Sequence, residues 1–135
     1  MKMRRGYSRG LWVWIFLLLL VACQSEEEKL RARVQEYWQY RLKGDLVKAY
    51  EYEYPILKKK MDLNTYISSR HNPLARYRKA EILSIKFPEK DVAEVEMRFE
   101  IETLFSGAKK PFVTEFKRRE RWVKVKGEWY HVPAQ

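Results

Sequence analysis

The sequence AEVEMRFEIETLF, residues 93–105, alternates apolar and charged side chains along most of its length. The apolar positions are Ala93, Val95, Met97, Phe99, Ile101 and Phe105, and the charged positions are Glu94, Glu96, Arg98, Glu100 and Glu102. Because successive side chains of a β-strand point to opposite faces, this period of two predicts a strand with one face on a core and one in solvent. Half-exposed strands of this kind are typical of antiparallel sheets.

Three further strands are predicted around this segment. Residues 78–87 form a preceding strand, joined to it by a turn at 88–91. A turn at 106–111 leads into a following strand over residues 112–125, and the last strand covers 128–132. Four strands connected by short turns predict an antiparallel meander.

The last two strands are predicted to form a tight hairpin. Lys126-Gly127 is a dipeptide that suits the left-handed backbone of a two-residue turn. A two-residue loop would place Trp122 opposite His131 and Val123 opposite Tyr130. A two-residue loop therefore predicts the register of the whole hairpin.

The preceding half of the chain shows helical periodicity. A first helix would bury one face made of Leu30, Val34, Tyr37, Trp38 and Arg41. Its start is predicted at Ser25, because Ser25 and Glu28 match a capping box. Gly44 supplies a stop signal at its C-terminus.

Two shorter helices follow. Asp45 is a candidate N-cap for a helix beginning at Leu46, and Pro55 is expected to end that helix. Its apolar face consists of Leu46, Ala49 and Tyr50. A third helix is predicted over residues 62–70. Helices followed by an antiparallel sheet make this an α+β chain.

Two segments lie at the start and end of this set of elements, VQEYWQYRLKGDLVKAYEYEYP at residues 34–55 and ERWVKVKGEWYHV at residues 120–132. With the order of the elements, they resemble the opening and closing segments of the NTF2-like (cystatin-like, SnoaL-like) cone. This resemblance implies N-terminal helices packed on a curved four-stranded antiparallel sheet, with the domain covering residues 30–135. The fold hosts enzymes, binding modules and assembly modules alike, so it does not decide the function.

The N-terminus has the layout of a targeting signal. Four basic residues and no acidic one precede an uncharged, apolar run at residues 11–22; the basic residues are Lys2, Arg4, Arg5 and Arg9. The run is shorter than the roughly 20 residues that span a bilayer and fits a signal peptide, with a retained signal anchor as the alternative. Leu20-Val21-Ala22-Cys23, at its end, resembles the lipobox of bacterial lipoproteins.

The lipobox resemblance implies cleavage between Ala22 and Cys23, which removes a signal peptide of residues 1–22. Cys23 would then carry a diacylglycerol thioether and an N-acyl chain, and residues 23–29 would serve as a short tether. A free core cysteine is the alternative. Because Gln24 is not Asp, the resemblance implies the periplasmic leaflet of an outer membrane in a two-membrane cell, and otherwise the outer face of the plasma membrane.

The net charge of +10 falls to +6 when residues 1–22 are removed. Basic residues cluster only at Lys58-Lys59-Lys60 and Lys117-Arg118-Arg119, whereas a nucleic-acid-binding protein concentrates basic side chains on one face. We therefore expect no nucleic-acid partner. Attraction to anionic headgroups and a solvated surface both remain open for these clusters.

The strand over residues 112–125 predicts a candidate pocket. If Phe112, Phe116 and Trp122 face the helices, Arg118 and Glu120 face inward with them and would bind a polar group. The alternative is a β-bulge near Glu120 that returns both charges to solvent. The full candidate pocket comprises Tyr37, Trp38, Tyr50, Arg118, Glu120 and Trp122, although aromatic residues at helical spacing are more often core. Tyr52 and Tyr54 cannot share the face of Tyr50, which predicts an exposed or interfacial tyrosine.

No catalytic or metal-ligating group is evident in the sequence. His71 adjoins a turn proline and His131 lies on the last strand, and neither has an obvious paired carboxylate. Asp45 and Asp62 are accounted for as helix caps and Asp91 as a turn residue, so no strand carries an inward aspartate for isomerase chemistry. A lone cysteine also cannot build a thiolate metal site.

The function expected from the sequence is therefore non-enzymatic. The chain would be an envelope lipoprotein, held to the membrane by its lipid, that binds a partner protein or a small apolar ligand. The alternative is an isomerase- or dehydratase-type enzyme acting on an apolar ligand in the cone. A homodimer is a further candidate, although the five charges on the outer face of residues 93–105 disfavour a dry sheet-to-sheet contact.

Overall fold

The computed structural model describes the backbone of residues 8–134 and the side chains of Trp14 and of residues 25–134. The cleavage site at Ala22 and the lipid attachment site at Cys23 are thus outside the residues whose side chains are described. Four helices precede four strands. They are α1 (Ser8–Lys43), α2 (Leu46–Tyr50), α3 (Pro55–Lys60), α4 (Leu63–Arg70), β1 (Ala75–Glu89), β2 (Val92–Thr103), β3 (Phe112–Val125) and β4 (Glu128–Val132).

Helix α1 is continuous through Ser25, so the predicted capping box at Ser25 is wrong. No proline or glycine occurs between Leu11 and Lys43, and nothing else in that segment interrupts the helical ladder. The residues expected to form a tether are consequently helical, and Glu26 contacts the sheet through Lys124, with 2.8 Å between Oε2 and Nζ. Among the described helices, none combines the length and the apolar character needed to cross a bilayer.

The helix caps of the middle segment match the sequence. The side chain of Asp45 accepts a hydrogen bond from the amide of Lys48 at 3.1 Å, and Asp62 accepts one from the amide of Thr65 at 2.8 Å. The structure adds α3, which the sequence analysis did not predict. Pro55 begins this helix rather than ending α2, because proline lacks an N–H and suits the first helical turn.

The sheet has the order β1-β2-β3-β4, and its strands are all antiparallel. The pairing of β2 with β3 runs without a shift from Val92 opposite Val123 to Thr103 opposite Phe112, so the bulge considered near Glu120 is absent from this pair. The irregularities lie between β1 and β2 instead, where the register shifts at three positions.

The final hairpin has the predicted register. Trp122 lies opposite His131 and Val123 opposite Tyr130. The turn residues Lys126 and Gly127 have φ values of 50° and 83°, the left-handed backbone that a two-residue hairpin loop requires.

The core lies between α1 and the inner face of the sheet. It includes Leu30, Val34, Tyr37 and Trp38 from α1, Ala93, Val95, Met97 and Phe99 from β2, and Trp122 and Trp129 from the last hairpin. The inner face predicted for β2 is therefore confirmed up to Phe99. Phe105 was expected on that face but lies beyond the end of β2, where its side chain is 60% exposed.

Candidate functional site

The segment between α2 and α3 lies along the free edge of β4. The amide of Tyr54 donates to the carbonyl of His131 at 2.9 Å, and the amide of His131 donates to the carbonyl of Tyr52 at 2.8 Å. This short parallel bridge places Glu53 beside His131. The Glu53 side chain is completely buried, so its carboxylate needs partners inside the protein.

Three side chains supply those partners. The hydroxyl groups of Tyr37 and Tyr66 donate to Oε1 of Glu53 at 2.9 and 2.8 Å, and Nδ1 of His131 lies 3.0 Å from Oε2. Burial alone would raise the pKa of Glu53, but the hydrogen bond and charge of His131, with the two hydroxyl groups, leave this pKa below its ordinary value of 4.5. Glu53 is therefore a buried anion held by three hydrogen bonds.

The two tyrosines act as donors in this network. Burial is the largest cause that raises the pKa of both Tyr37 and Tyr66, and the charge of Glu53 raises each further. Arg41 Nη1 in turn donates to the hydroxyl oxygen of Tyr37 at 2.7 Å. A hydrogen-bonded chain therefore connects the guanidinium of Arg41 with the carboxylate of Glu53.

His131 lies between two carboxylates. Its ring is stacked on Tyr37 with 4.7 Å between the ring centroids, and its Nε2 is 3.9 Å from Oε1 of Glu120. Nδ1 therefore faces the Glu53 carboxylate, and Nε2 faces the Glu120 carboxylate. This arrangement corrects the expectation that His131 lacks a paired carboxylate.

The inward Arg118–Glu120 pair is confirmed, whereas Phe112, which was expected on the same face of β3, is 61% exposed at the start of the strand. Nη2 of Arg118 is 2.9 Å from Oε1 of Glu120, and Nε1 of Trp38 donates to Oε2 at 3.0 Å. The guanidinium of Arg118 also lies over the ring of Phe99, 4.7 Å from its centroid, and contacts the hydroxyl of Tyr77 at 3.3 Å. Aromatic rings and hydrogen bonds therefore fix the position of Arg118.

A cavity of about 710 Å³ adjoins these groups. Its lining includes five arginines, namely Arg41, Arg70, Arg118, Arg119 and Arg121, together with Glu120 and His131. Among the described residues, Arg118 is the only one of the five with a carboxylate oxygen within 4.0 Å. The cavity therefore holds an excess of positive charge that no described side chain pairs.

The structure brings two of the six predicted pocket residues to the lining of the cavity. Arg118 and Glu120 line the cavity, whereas Tyr37, Trp38 and Trp122 belong to the buried core behind it. Tyr50 is half-buried, and its hydroxyl donates to the carbonyl of Met61 at 2.7 Å.

The structure also shows where Tyr52, Tyr54 and His71 lie. Neither tyrosine is exposed, because the chain leaves the helix after Tyr50, Tyr52 is buried and Tyr54 is partly buried; an interfacial tyrosine stays a prediction. His71 lies in an exposed turn, away from the cavity lining. Across the part of the chain whose side chains are described, no group of three or more His, Cys, Asp or Glu side chains forms a metal site.

Sequence reasoning missed the pairing of Glu53 with His131, although a signal for half of it was present. Directly opposed residues of a hairpin point to the same face, so an inward Trp122 implies an inward His131. Glu53 gives no comparable signal, because it is 78 residues from His131 and reaches it only through tertiary pairing.

Comparisons with known proteins identify the fold. No protein-family model and no curated protein matches the chain. The CaMKII hub homology domain of Chlamydomonas reinhardtii has a TM-score of 0.52 at 19% identity, covering 79% of this chain and 93% of the hub domain. The fold is an NTF2-like cone.

A second solved structure also resembles this NTF2-like domain. It is the solution structure of a SEC-C motif containing protein from Rhodopseudomonas palustris, with a TM-score of 0.59 at 13% identity. The alignment covers 77% of this chain and 75% of that protein. At these identities, both likenesses bear on the fold alone.

Proposed function

We propose that this chain is a non-enzymatic envelope lipoprotein whose NTF2-like domain binds a small anionic molecule in the arginine-lined cavity. The observation that supports this proposal is the set of five cavity arginines, four of which have no carboxylate within 4.0 Å among the described residues. A carboxylate or phosphate ligand would complete their ion pairs, and guanidinium groups bind such anions in bidentate geometry.

The cavity favours an anionic ligand over the apolar one expected from the sequence. An apolar molecule would remove water from the guanidinium groups of Arg41 and Arg70. It would supply no hydrogen bonds in place of those that the water had made. Arg70 is held over the ring of Tyr66, 3.9 Å from its centroid, so its charge is already positioned at the cavity wall. The proposed ligand therefore carries at least one carboxylate or phosphate group.

Binding of small anions tests this proposal directly. We expect inorganic phosphate and succinate, but not uncharged glycerol, to shift the guanidinium NMR resonances of Arg70 and Arg118 and to protect the protein against heat. Arg70→Gln would weaken that response, whereas Arg76→Gln would not, because the Arg76 side chain is 75% exposed and its partner is Glu102. Equal responses to glycerol and to the anions would contradict the proposal.

The lipid anchor is the second element of the proposal, and it is supported by the lipobox at residues 20–23. Only a thiolate is nucleophilic enough to accept the lipid as a thioether, and two or more acyl chains hold a protein stably at a membrane. The helical segment from Cys23 to Leu30 would span about 10 Å, so the domain would lie close to the membrane surface.

Lipid labelling tests the anchor. Cys23→Ala is expected to abolish incorporation of labelled palmitate and to leave an uncleaved precursor, whereas Ser25→Ala keeps both labelling and cleavage. Normal processing of the Cys23→Ala variant would show that residues 20–23 do not function as a lipobox.

An enzyme of the isomerase or dehydratase type is the second candidate, and the Glu53–His131 pair favours it. A histidine oriented by a buried carboxylate resembles the geometry of a general base, and His131 reaches the cavity lining. Solvent deuterium would then enter the bound ligand in the wild-type protein and not in His131→Gln. Ligand that remains unlabelled in both proteins would favour binding without catalysis.

A further inference from the structure

Strand β3 extends well beyond its neighbour β4. The last residue pair between them is Arg121 opposite Val132, whereas β3 begins at Phe112. Proline follows directly at position 133 and cannot donate to a ladder, which helps to end β4 there. Residues 112–120 of β3 are therefore paired on the β2 side, and in the part of the chain that the structure describes no strand lies on their other side.

The alternation of hydrogen-bonded positions in the β3–β4 hairpin shows which backbone groups of β3 are unpaired. In a hairpin with a two-residue loop, Val125, Val123 and Arg121 direct their backbone groups toward β4. Lys124 points the other way, and its amide donates to the carbonyl of Asp91 at 2.9 Å. The same alternation, continued along β3, turns the N–H and C=O groups at positions 113, 115, 117 and 119 toward the free edge.

The cavity opens onto this edge. Four consecutive residues, 118–121, line it, although successive side chains of a strand point to opposite faces of the sheet. Residues from both faces can share one cavity because the strand presents its edge to it. Met61, Ser69 and Arg70 line the same cavity, as do Val132, Pro133 and Ala134 at the end of β4. A fifth strand would lie beyond these last residues, along positions 112–119 of β3.

We propose that an acidic, extended segment of a partner protein binds here as a fifth strand, antiparallel to β3. Backbone hydrogen bonds along an open edge supply affinity, and side-chain charge supplies specificity. On the free edge, Lys117, Arg118 and Arg119 outnumber Glu115 and Glu120, and Arg121 adds a positive charge directly next to it. Two copies of this edge would bring like charges together, so the charge that accepts an acidic strand also disfavours a second copy. This binding does not require the small anionic ligand.

A peptide with defined charge tests the proposal on the full-length protein in detergent. The probe is a fluorescent heptapeptide of alternating Glu and Val, blocked at both ends, and its counterpart has Lys in place of Glu. Fluorescence anisotropy should show binding of the Glu peptide alone. Equal binding of both peptides, or of neither, would overturn the proposal.

A proline variant tests the backbone hydrogen bonds separately from charge. The N–H at position 117 points away from β2, so Lys117→Pro removes an edge donor while leaving the β2 ladder intact. Lys117→Ala is the matched control, because it removes the same charge and keeps the N–H. We expect the proline variant to bind the Glu peptide about tenfold more weakly than the alanine variant. Equal affinities would mean that charge alone holds the peptide and would overturn strand addition.

Amide hydrogen exchange locates the bound peptide. In the complex, exchange should slow at Val113, Glu115 and Lys117 and stay unchanged at Thr114 and Phe116, whose amides already face β2. Protection without this alternation would contradict the fifth strand. Phosphate binding by Lys117→Pro, measured in parallel, separates failure of this proposal from failure of the anion-binding proposal.

Discussion

The two faces of the sheet carry similar charged side chains in opposite environments. On the outer face, Arg98 is 3.6 Å from Glu81 and 3.5 Å from Glu115, and the two glutamate side chains are 45% and 62% exposed. On the inner side, Glu53 and Glu120 are 0% and 4% exposed, and each is held by several donors. Solvent screens the outer pairs, whereas inner charges without partners would be costly. A glutamate therefore contributes little to stability on the outer face and much on the inner side.

The charged side chains of the outer face also affect self-association. Arg98 of β2 pairs with glutamates on both neighbouring strands, so the outer-face glutamates are partly neutralised within the sheet itself. A second sheet stacked on this face would have to desolvate these pairs without adding new partners. A dry sheet-to-sheet dimer is accordingly disfavoured by the charges of this face.

The largest effect on stability is expected at the buried glutamate. Glu53→Ala leaves Tyr37, Tyr66 and His131 without their shared acceptor, and each buried hydrogen-bonding group left unsatisfied costs about 1–3 kcal/mol. Urea unfolding measures the loss. Glu115→Ala, on the outer face, is the matched control and should change the free energy of unfolding by less than about 1 kcal/mol. Similar losses for both variants would contradict the comparison of the two faces.

A smaller loss is expected for Glu120→Gln. The amide still accepts from Trp38 or Arg118 but no longer neutralises the guanidinium, and a hydrogen bond between charged groups is worth about 1.5–3 kcal/mol. Chemical unfolding of this variant beside wild type gives the value. Wild-type stability would indicate that Arg118 pairs mainly with solvent.

The pH dependence of the free energy of unfolding should show the contribution of Glu53. Its folded-state pKa lies below the ordinary value of 4.5, so its contribution to the free energy of unfolding is complete above that pH and is lost as the pH falls through the folded-state pKa. Wild type should therefore lose more stability than Glu53→Gln when urea unfolding is compared at pH 7 and at pH 3. Parallel pH profiles for the two proteins would show that the folded and unfolded pKa values of Glu53 are equal.

The smallest effect is expected on the outer face. Glu81→Gln removes one partner of Arg98, which keeps Glu115, and an exposed pair contributes about 0–1 kcal/mol. Moderate salt should reduce even this difference. A loss comparable to that of Glu120→Gln would mean that burial does not separate the two faces.

Local sequence signals predicted the sheet better than the helices. The bounds of β3 and β4, the register of their hairpin and the caps at Asp45 and Asp62 follow from side-chain alternation and turn or cap chemistry, all of which act over a few residues. The start of α1 was wrong because a capping motif has no effect inside an uninterrupted helix. Helix α3 was missed because proline both ends and begins helices.

The candidate site was predictable only where one strand carries it. Arg118 and Glu120 share the inner face of β3, so alternation was enough to place them. Glu53 follows α2, and Arg70 is the last residue of α4. The positions of both depend on how these segments pack against the sheet, and no periodicity in the segments specifies that packing. The arginine-lined cavity therefore emerges from tertiary structure, although each of its residues is visible in the sequence.

Native mass spectrometry of the full-length protein, purified in detergent from the cells that make it, is the most direct test of anion binding in the cavity. We expect a small adduct that leaves the protein as an anion, is lost in Arg70→Gln and is retained in Arg76→Gln. Its mass would identify the ligand. A protein without any adduct, together with unchanged arginine resonances in phosphate and succinate, would contradict an anion-binding cavity.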